Sequence, residues 1–245
     1  MLNFFTRITK FVYSNSDRIL ISSRGFRNSI LEKGENEAKL VYFPNWAENI
    51  FSKCNECRIP DLPCGFKIMF AGNIGEAQDF EHIMQAALML KDERDIHFIF
   101  IGDGRKRVWV DEFMAKNELQ DTVHLLGRFP LETMPTFFKQ ADVMLVTLKD
   151  ELIFNVTVPA KLQAYMATGK PILAMLNGEG AEIVQEAGCG YAVPAGDYEG
   201  LVREIKMKDL EVQKRLALGK SGKIYCMENF SLENCMDRLC EILVS

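Results

Sequence analysis

The apolar positions along the chain change their period at about residue 67. Beyond it, short runs that are apolar at nearly every position alternate with longer stretches in which apolar residues recur at i, i+3 and i+4. The runs at 67–72 (KIMFAG), 96–102 (IHFIFIG), 123–127 (VHLLG), 142–148 (DVMLVTL), 171–176 (PILAML) and 190–193 read as strands. The stretches 77–90, 105–117, 131–140, 159–168 and 179–187 read as helices, and further helices fill the remainder. Strands with no polar side require cover on both faces. The pattern therefore predicts an α/β domain with a doubly wound parallel sheet.

The first 40 residues follow a different plan. Phe4, Phe5, Ile8, Phe11 and Val12 make a helical stripe, 18–22 a short apolar strand and 25–33 a second helix. One strand with two helices does not bury both faces of a sheet, so this short α/β segment is expected to be the remnant of another domain or to dock on a partner. The stripe, with Arg7 and Lys10 on its polar side, suits core packing and also suits an amphipathic contact with a membrane surface. Residues 41–66, which include Val41 to Trp46 and a stretch rich in cysteine and proline, read as a linker.

Composition narrows the partners. A net charge of −5 and a pI near 5.4 argue against nucleic acid, because binding a phosphate backbone requires a basic surface. The sequence has no apolar run long enough to span a bilayer and no pattern of a secretory signal at its start, which predicts a cytoplasmic protein. Its seven cysteines are odd in number and scattered, as expected of reduced thiols. Cys54 and Cys57, with Cys64, have the start of a zinc-site spacing, but no second C-x-x-C or His pair follows, and no metal is expected.

In a doubly wound sheet, ligands bind beyond the carboxyl ends of the strands, so the turns there carry the information. The first turn holds Gly72, Asn73, Ile74 and Gly75, and the second holds Gly102, Asp103 and Gly104, followed by Arg105, Lys106 and Arg107. Later turns hold Gly127, Arg128, Phe129 and Pro130, then Lys149, Asp150 and Glu151. A last one leads to Pro159, Ala160 and Lys161, where a helix is expected to open at Val158 or Pro159. Val158 has no side-chain oxygen to cap that helix, and a lysine in a first turn is unfavourable unless an anion is close. An ordinary βαβ helix with a solvent-facing lysine shows the same pattern. Taken together, the glycine-bearing and charged turns on one sheet edge point to a nucleotide-sized, phosphate-bearing ligand. His82, His97 and His124 fall within predicted helices and strands. That placement weighs against a sugar-nucleotide epimerase, which needs an acid or base near the sugar. A phosphorylase would use the same helix end for inorganic phosphate.

Taken in order, IMFAGN, FIFIGDG, VHLLGRFP, ADVMLVTL, PAKLQAYMATGKPIL and GEGAEIVQEAGCGYAVPAGD resemble the C-terminal donor-binding domain of retaining GT-B glycosyltransferases. The closest likeness is to the bacterial polysaccharide and lipopolysaccharide sugar transferases, the glycosyl transferases of group 1. The resemblance implies a Rossmann-like donor domain over 67–245, a linker over 41–66 and a remnant of the N-terminal acceptor domain over 1–40. It implies that Gly72, Asn73 and Gly75 lie under the donor diphosphate and that Gly102, Asp103 and Gly104 line the cleft. Arg128 and Phe129 would lie near the nucleobase, and Pro159, Ala160 and Lys161 would meet the diphosphate or sugar, with Lys161 as the catalytic residue stabilising the leaving nucleotide. It further implies transfer of a sugar from a UDP- or GDP-linked nucleotide-sugar, as substrate and without a separate cofactor, to a saccharide or lipid-linked saccharide. A second chain or another copy would supply the missing half, and the enzyme would work at the inner face of the plasma membrane. Two departures stand out. Many members carry two glutamates separated by seven intervening residues, where this chain has Val156 and Ala164, and many carry an arginine and a lysine after the first strand, where it has Glu76 and Gln78. These leave a non-catalytic nucleotide-sugar-binding module or inactive fragment as the alternative.

Overall fold

The computed structural model describes residues 2–52, 57–208 and 212–244. The chain first forms α1 (Leu2–Ser14), β1 (Ile19–Ile21), α2 (Phe26–Leu31) and β2 (Leu40–Tyr42). The regular alternation follows: β3 (Phe66–Ala71), α3 (Phe80–Met89), β4 (Ile96–Ile101), α4 (Arg107–Asn117), β5 (Val123–Gly127), α5 (Met134–Gln140) and β6 (Val143–Thr147). Then come α6 (Leu152–Asn155), α7 (Ala160–Ala167), β7 (Ile172–Met175), α8 (Glu179–Glu186) and β8 (Gly190–Val193). Three helices, α9 (Tyr198–Lys208), α10 (Val212–Phe230) and α11 (Leu232–Val244), complete the described chain.

Strands β3 to β8 form one parallel sheet in the order β5-β4-β3-β6-β7-β8. From the centre the chain winds outward through β4 and β5, then crosses β3 to wind the other way from β6. The turns after β3 and β6 therefore diverge and leave a crevice at the carboxyl edge. Successive residues of a strand face opposite sides. Met69, Met144, Val146, Ile172 and Ala174 pack on one face with Phe137, Phe138, Leu162 and Met166. On the other face, Ile68, Phe70, Val143, Leu145, Leu173 and Met175 pack with Phe80, Ile83 and Ile205. Both faces are buried, which is why these strands lack polar positions.

Several boundaries differ from the sequence reading, each for a local reason. Residues 76–78 form a 3-10 turn, and Asp79 takes a left-handed φ of 53° before α3 begins at Phe80. Pro159 has an extended ψ of 127°, so it caps α7 and Ala160 is the first helical residue. Leu131–Thr133 is a 3-10 turn ahead of α5, and the one-turn helix α6 lies in a stretch read as a loop.

The N-terminal segment is a two-stranded parallel sheet with Ile19 opposite Leu40. Its second strand, β2, lies across the boundary where a linker was expected to begin. Ile19, Ile21 and Ile30, with Tyr13, Phe26 and Leu40, form a small core of their own. That core is too small to cover α1. Phe4 is 64% exposed and Phe11 69%, and Phe5, Ile8 and Val12 are also open, so among the described residues the stripe lies on the surface rather than in a core. Cys54, and with it the C-x-x-C spacing, lies outside the described residues.

Candidate functional site

The turns at the carboxyl edge are laced to one another before any side chain is considered. Gly72 N–H donates to Ile101 O at 2.8 Å, Gly102 N–H to Gly127 O at 2.7 Å and Ile74 N–H to Asp103 O at 2.9 Å. Gly72 and Gly102 have φ of 147° and 136°, a region that favours glycine. A Cβ on Gly102 would collide with the carbonyl oxygen of Gly72. The first two turns therefore need glycine to lie as close as they do.

Helix α7 is fastened to this edge by Tyr165. Its hydroxyl donates to Ala71 O at 3.0 Å and accepts from Ala71 N–H at 2.8 Å, at the last residue of β3. Burial pushes the phenol above its ordinary pKa. One turn earlier on the same helix face, Lys161 is thereby held over the first turn. A Cβ on Gly72 would lie 3.7 Å from Lys161 Nζ.

Lys161 is half-buried as a residue, but its ammonium end is enclosed. Nζ lies 4.0 Å from the centre of the Phe70 ring and donates to Gln78 Oε1. Among the described residues no carboxylate forms an ion pair with it. Burial without a counter-charge pulls its pKa from the ordinary 10.5 down to about 7. A diphosphate beside it would supply that charge. No side-chain hydrogen bond caps α7, so the N–H groups of its first turn add a positive helix end near the lysine.

These elements enclose a cleft of about 600 Å³. Of the residues read from the sequence, Gly72, Asn73, Gly102, Asp103, Arg128, Phe129, Ala160 and Lys161 line it. Gly75 and Gly104 line an adjoining hollow that shares Asn73, Asp103 and Arg128 with it and adds Glu76 and Arg105. Pro159 lines neither and acts as the cap of α7. The sequence reading missed Trp46, Glu48 and Phe51, which come from the linker stretch and close the far side together with Leu131, Met134 and Phe138. An exposed tryptophan beside a proline turn was the only available signal. Ala164, one of the two positions at which the family resemblance implied a glutamate, lines the cleft.

Charge at the rim is largely self-neutralised. Glu76 binds Lys149, and Lys106 lies 2.9 Å from Glu76 and 2.5 Å from Glu81. Hydrogen bonds from the two lysines hold the Glu76 carboxyl below its ordinary pKa, and those from the glutamates hold Lys106 above its own. Arg128, 77% exposed at its side chain, sits 3.4 Å from Asp103. Lys161 is the enclosed cation of the cleft.

A six-stranded parallel sheet in this order, covered by helices on both faces and with a laced glycine edge, is the Rossmann-like sheet of a GT-B fold. The chain belongs to the glycosyl transferases group 1 family, whose sequence profile matches residues 65–207. WbjE of Pseudomonas aeruginosa, named as a probable glycosyltransferase, is 35% identical over 238 residues, covering 92% of this chain and 57% of WbjE. WcaI of Escherichia coli K12, named as a colanic acid biosynthesis glycosyl transferase, is 30% identical over 166 residues, 63% of this chain and 39% of WcaI. The chain thus spans 57% of the length of WbjE and 39% of that of WcaI. Among solved structures, Anabaena HepE in complex with UDP superposes with a TM-score of 0.83 at 14% identity, over 98% of this chain and 67% of HepE. That likeness shows the fold. Among the described residues, no helix is long and apolar enough to cross a membrane.

Proposed function

We propose that the chain is the donor-binding part of a glycosyltransferase that takes a UDP- or GDP-linked sugar and serves the assembly of a cell-surface polysaccharide or lipopolysaccharide. The observation that carries this reading is Lys161, an enclosed cation without a counter-charge, held over Gly72 at the start of α7, where no side chain bonds the first N–H groups. As the glycosidic bond breaks, negative charge grows on the leaving diphosphate, and an ammonium with helix N–H groups stabilises it without a metal. The diphosphate would lie along Gly72, Asn73 and Gly75. The base would lie against Phe129 between the edge of β5 and the linker residues Trp46 and Phe51. Residues 67–245 would be the donor domain and 41–66 the linker. Residues 1–40 would belong to the half that receives a saccharide or lipid-linked saccharide.

The remainder of that half, supplied by a longer chain, a second chain or another copy, would cover the α1 stripe. A peripheral contact at the inner face of the plasma membrane would use Arg7 and Lys10 beside it. Ala164 favours a second reading, a module that binds nucleotide-sugar without turnover. The test is calorimetric titration of the chain with UDP-, GDP- and ADP-hexoses. Saturable binding of one, with the others weaker by about tenfold or more, is expected. Absence of saturable binding to all three contradicts the reading.

A further inference from the structure

The acid at the start of α8 has its described hydrogen-bond partners in a distant part of the chain. Glu179 is 4% exposed, and its Oε2 accepts from Ser23 Oγ–H at 2.6 Å and from Gly25 N–H at 3.0 Å. Both donors belong to the turn between β1 and α2. Its other oxygen, Oε1, is buried without a partner among the described residues. A buried carboxylate with half its acceptor capacity unused is a poor device for stability, and an apolar side chain of similar size would serve that end better. The start of a helix favours the negative charge but does not account for its burial beneath another segment.

Three turns converge here. The single proton of Ser23 Oγ is shared between Glu179 and Val156 O, which lies 2.5 Å away, and a Cβ on Gly25 would lie 2.7 Å from Val156 Cα. A Cβ on Gly178 would collide with Asn155 O, so the start of α8 is pressed onto the same loop. Across this junction Arg24 lies 3.8 Å from Glu186. Val156 is followed closely by α7, whose first turn carries Lys161.

We propose that Glu179 is a positioning residue, a latch that docks the β1–α2 turn onto the loop entering α7 and so fixes the N-terminal segment relative to the donor cleft. The proposal concerns the junction and stands apart from what the cleft binds. Amide exchange of residues 22–27, read by mass spectrometry on the full chain, tests it with Glu179→Met, Glu179→Gln and Ser23→Ala. The latch predicts exchange there faster by about tenfold or more for Glu179→Met and an intermediate rate for Glu179→Gln, which keeps one acceptor. Ser23→Ala, which leaves α8 untouched, must raise the same rates, while β3 to β7 stay within about twofold of the unaltered chain. If the side chain only fills space, Met protects as well as Glu, and rates at 22–27 within about twofold in both Glu179→Met and Ser23→Ala overturn the proposal. Should Glu179→Met fail to fold, Glu179→Gln decides, because Ser23→Ala also removes the contact with Val156 O, and rates within about twofold in Glu179→Gln then overturn the proposal. Nucleotide titration of the unaltered chain reports separately on the donor site, so the failure of one reading is distinguishable from the failure of the other.

Discussion

Lys161 and Tyr165 work as a pair spaced by one helical turn. Tyr165 fixes α7 to Ala71, and Lys161 projects over Gly72 from the same face. Replacing Tyr165 by Phe leaves both polar groups of Ala71 without that partner and is expected to cost about 1–3 kcal/mol, read from urea unfolding. The lysine makes a pH prediction. Its folded pKa of about 7 lies below the ordinary 10.5. Between these values the unfolded chain holds a proton that the folded chain does not, so this group's contribution to stability rises with pH across that window. Below about pH 7 the buried charge weighs fully against the fold.

A bound diphosphate favours the ammonium, so binding takes up a proton above pH 7. Nucleotide-sugar affinity should accordingly fall as pH rises from 7 to 9, and calorimetry in buffers of different ionisation enthalpy should report proton uptake. The residue types of this site were legible in the sequence because helix starts and glycine turns carry local constraints. The hydroxyl of Tyr165 and the amide of Gln78 were not, because their partners lie 94 and 83 residues away in the chain.

At the level of elements, the strands were legible because each is apolar on both sides, and the helices because their apolar faces repeat. What the pattern did not contain was the detail of the turns: the left-handed Asp79, the extended Pro159 and the short α6 are set by neighbouring loops rather than by periodicity. The contact between the turns of β3 and β4 makes a sharp prediction. Gly102→Ala combines an unfavourable φ with a collision at Gly72 O. It is expected to cost about 3 kcal/mol or more in urea unfolding and to abolish nucleotide binding. A loss below about 1 kcal/mol would mean that the edge can spread without penalty.

Over the whole molecule, the large sheet is closed between two apolar layers, and the N-terminal segment is left with an open face on α1. Periodicity alone marked the stripe but could not say what covers it, since burial depends on mass outside the segment. Phe4→Ser with Phe11→Ser is expected to lower binding of an apolar dye and any self-association seen by sedimentation, while melting of the large sheet stays in place. Residues 41–66 showed a break in pattern but no sign of forming a wall of the cleft, because Trp46 and Phe51 acquire that role only when the chain folds back.

In the proposed site, Lys161 is the charge centre for a nucleoside diphosphate. The direct test of this role is calorimetric titration of the chain and its Lys161→Ala variant, at pH 7, with the nucleotide bound most tightly. The role predicts saturable binding weakened by about tenfold or more in the variant, equivalent to roughly 1.4 kcal/mol of charge-assisted contact. Equal affinity in the two proteins would contradict it.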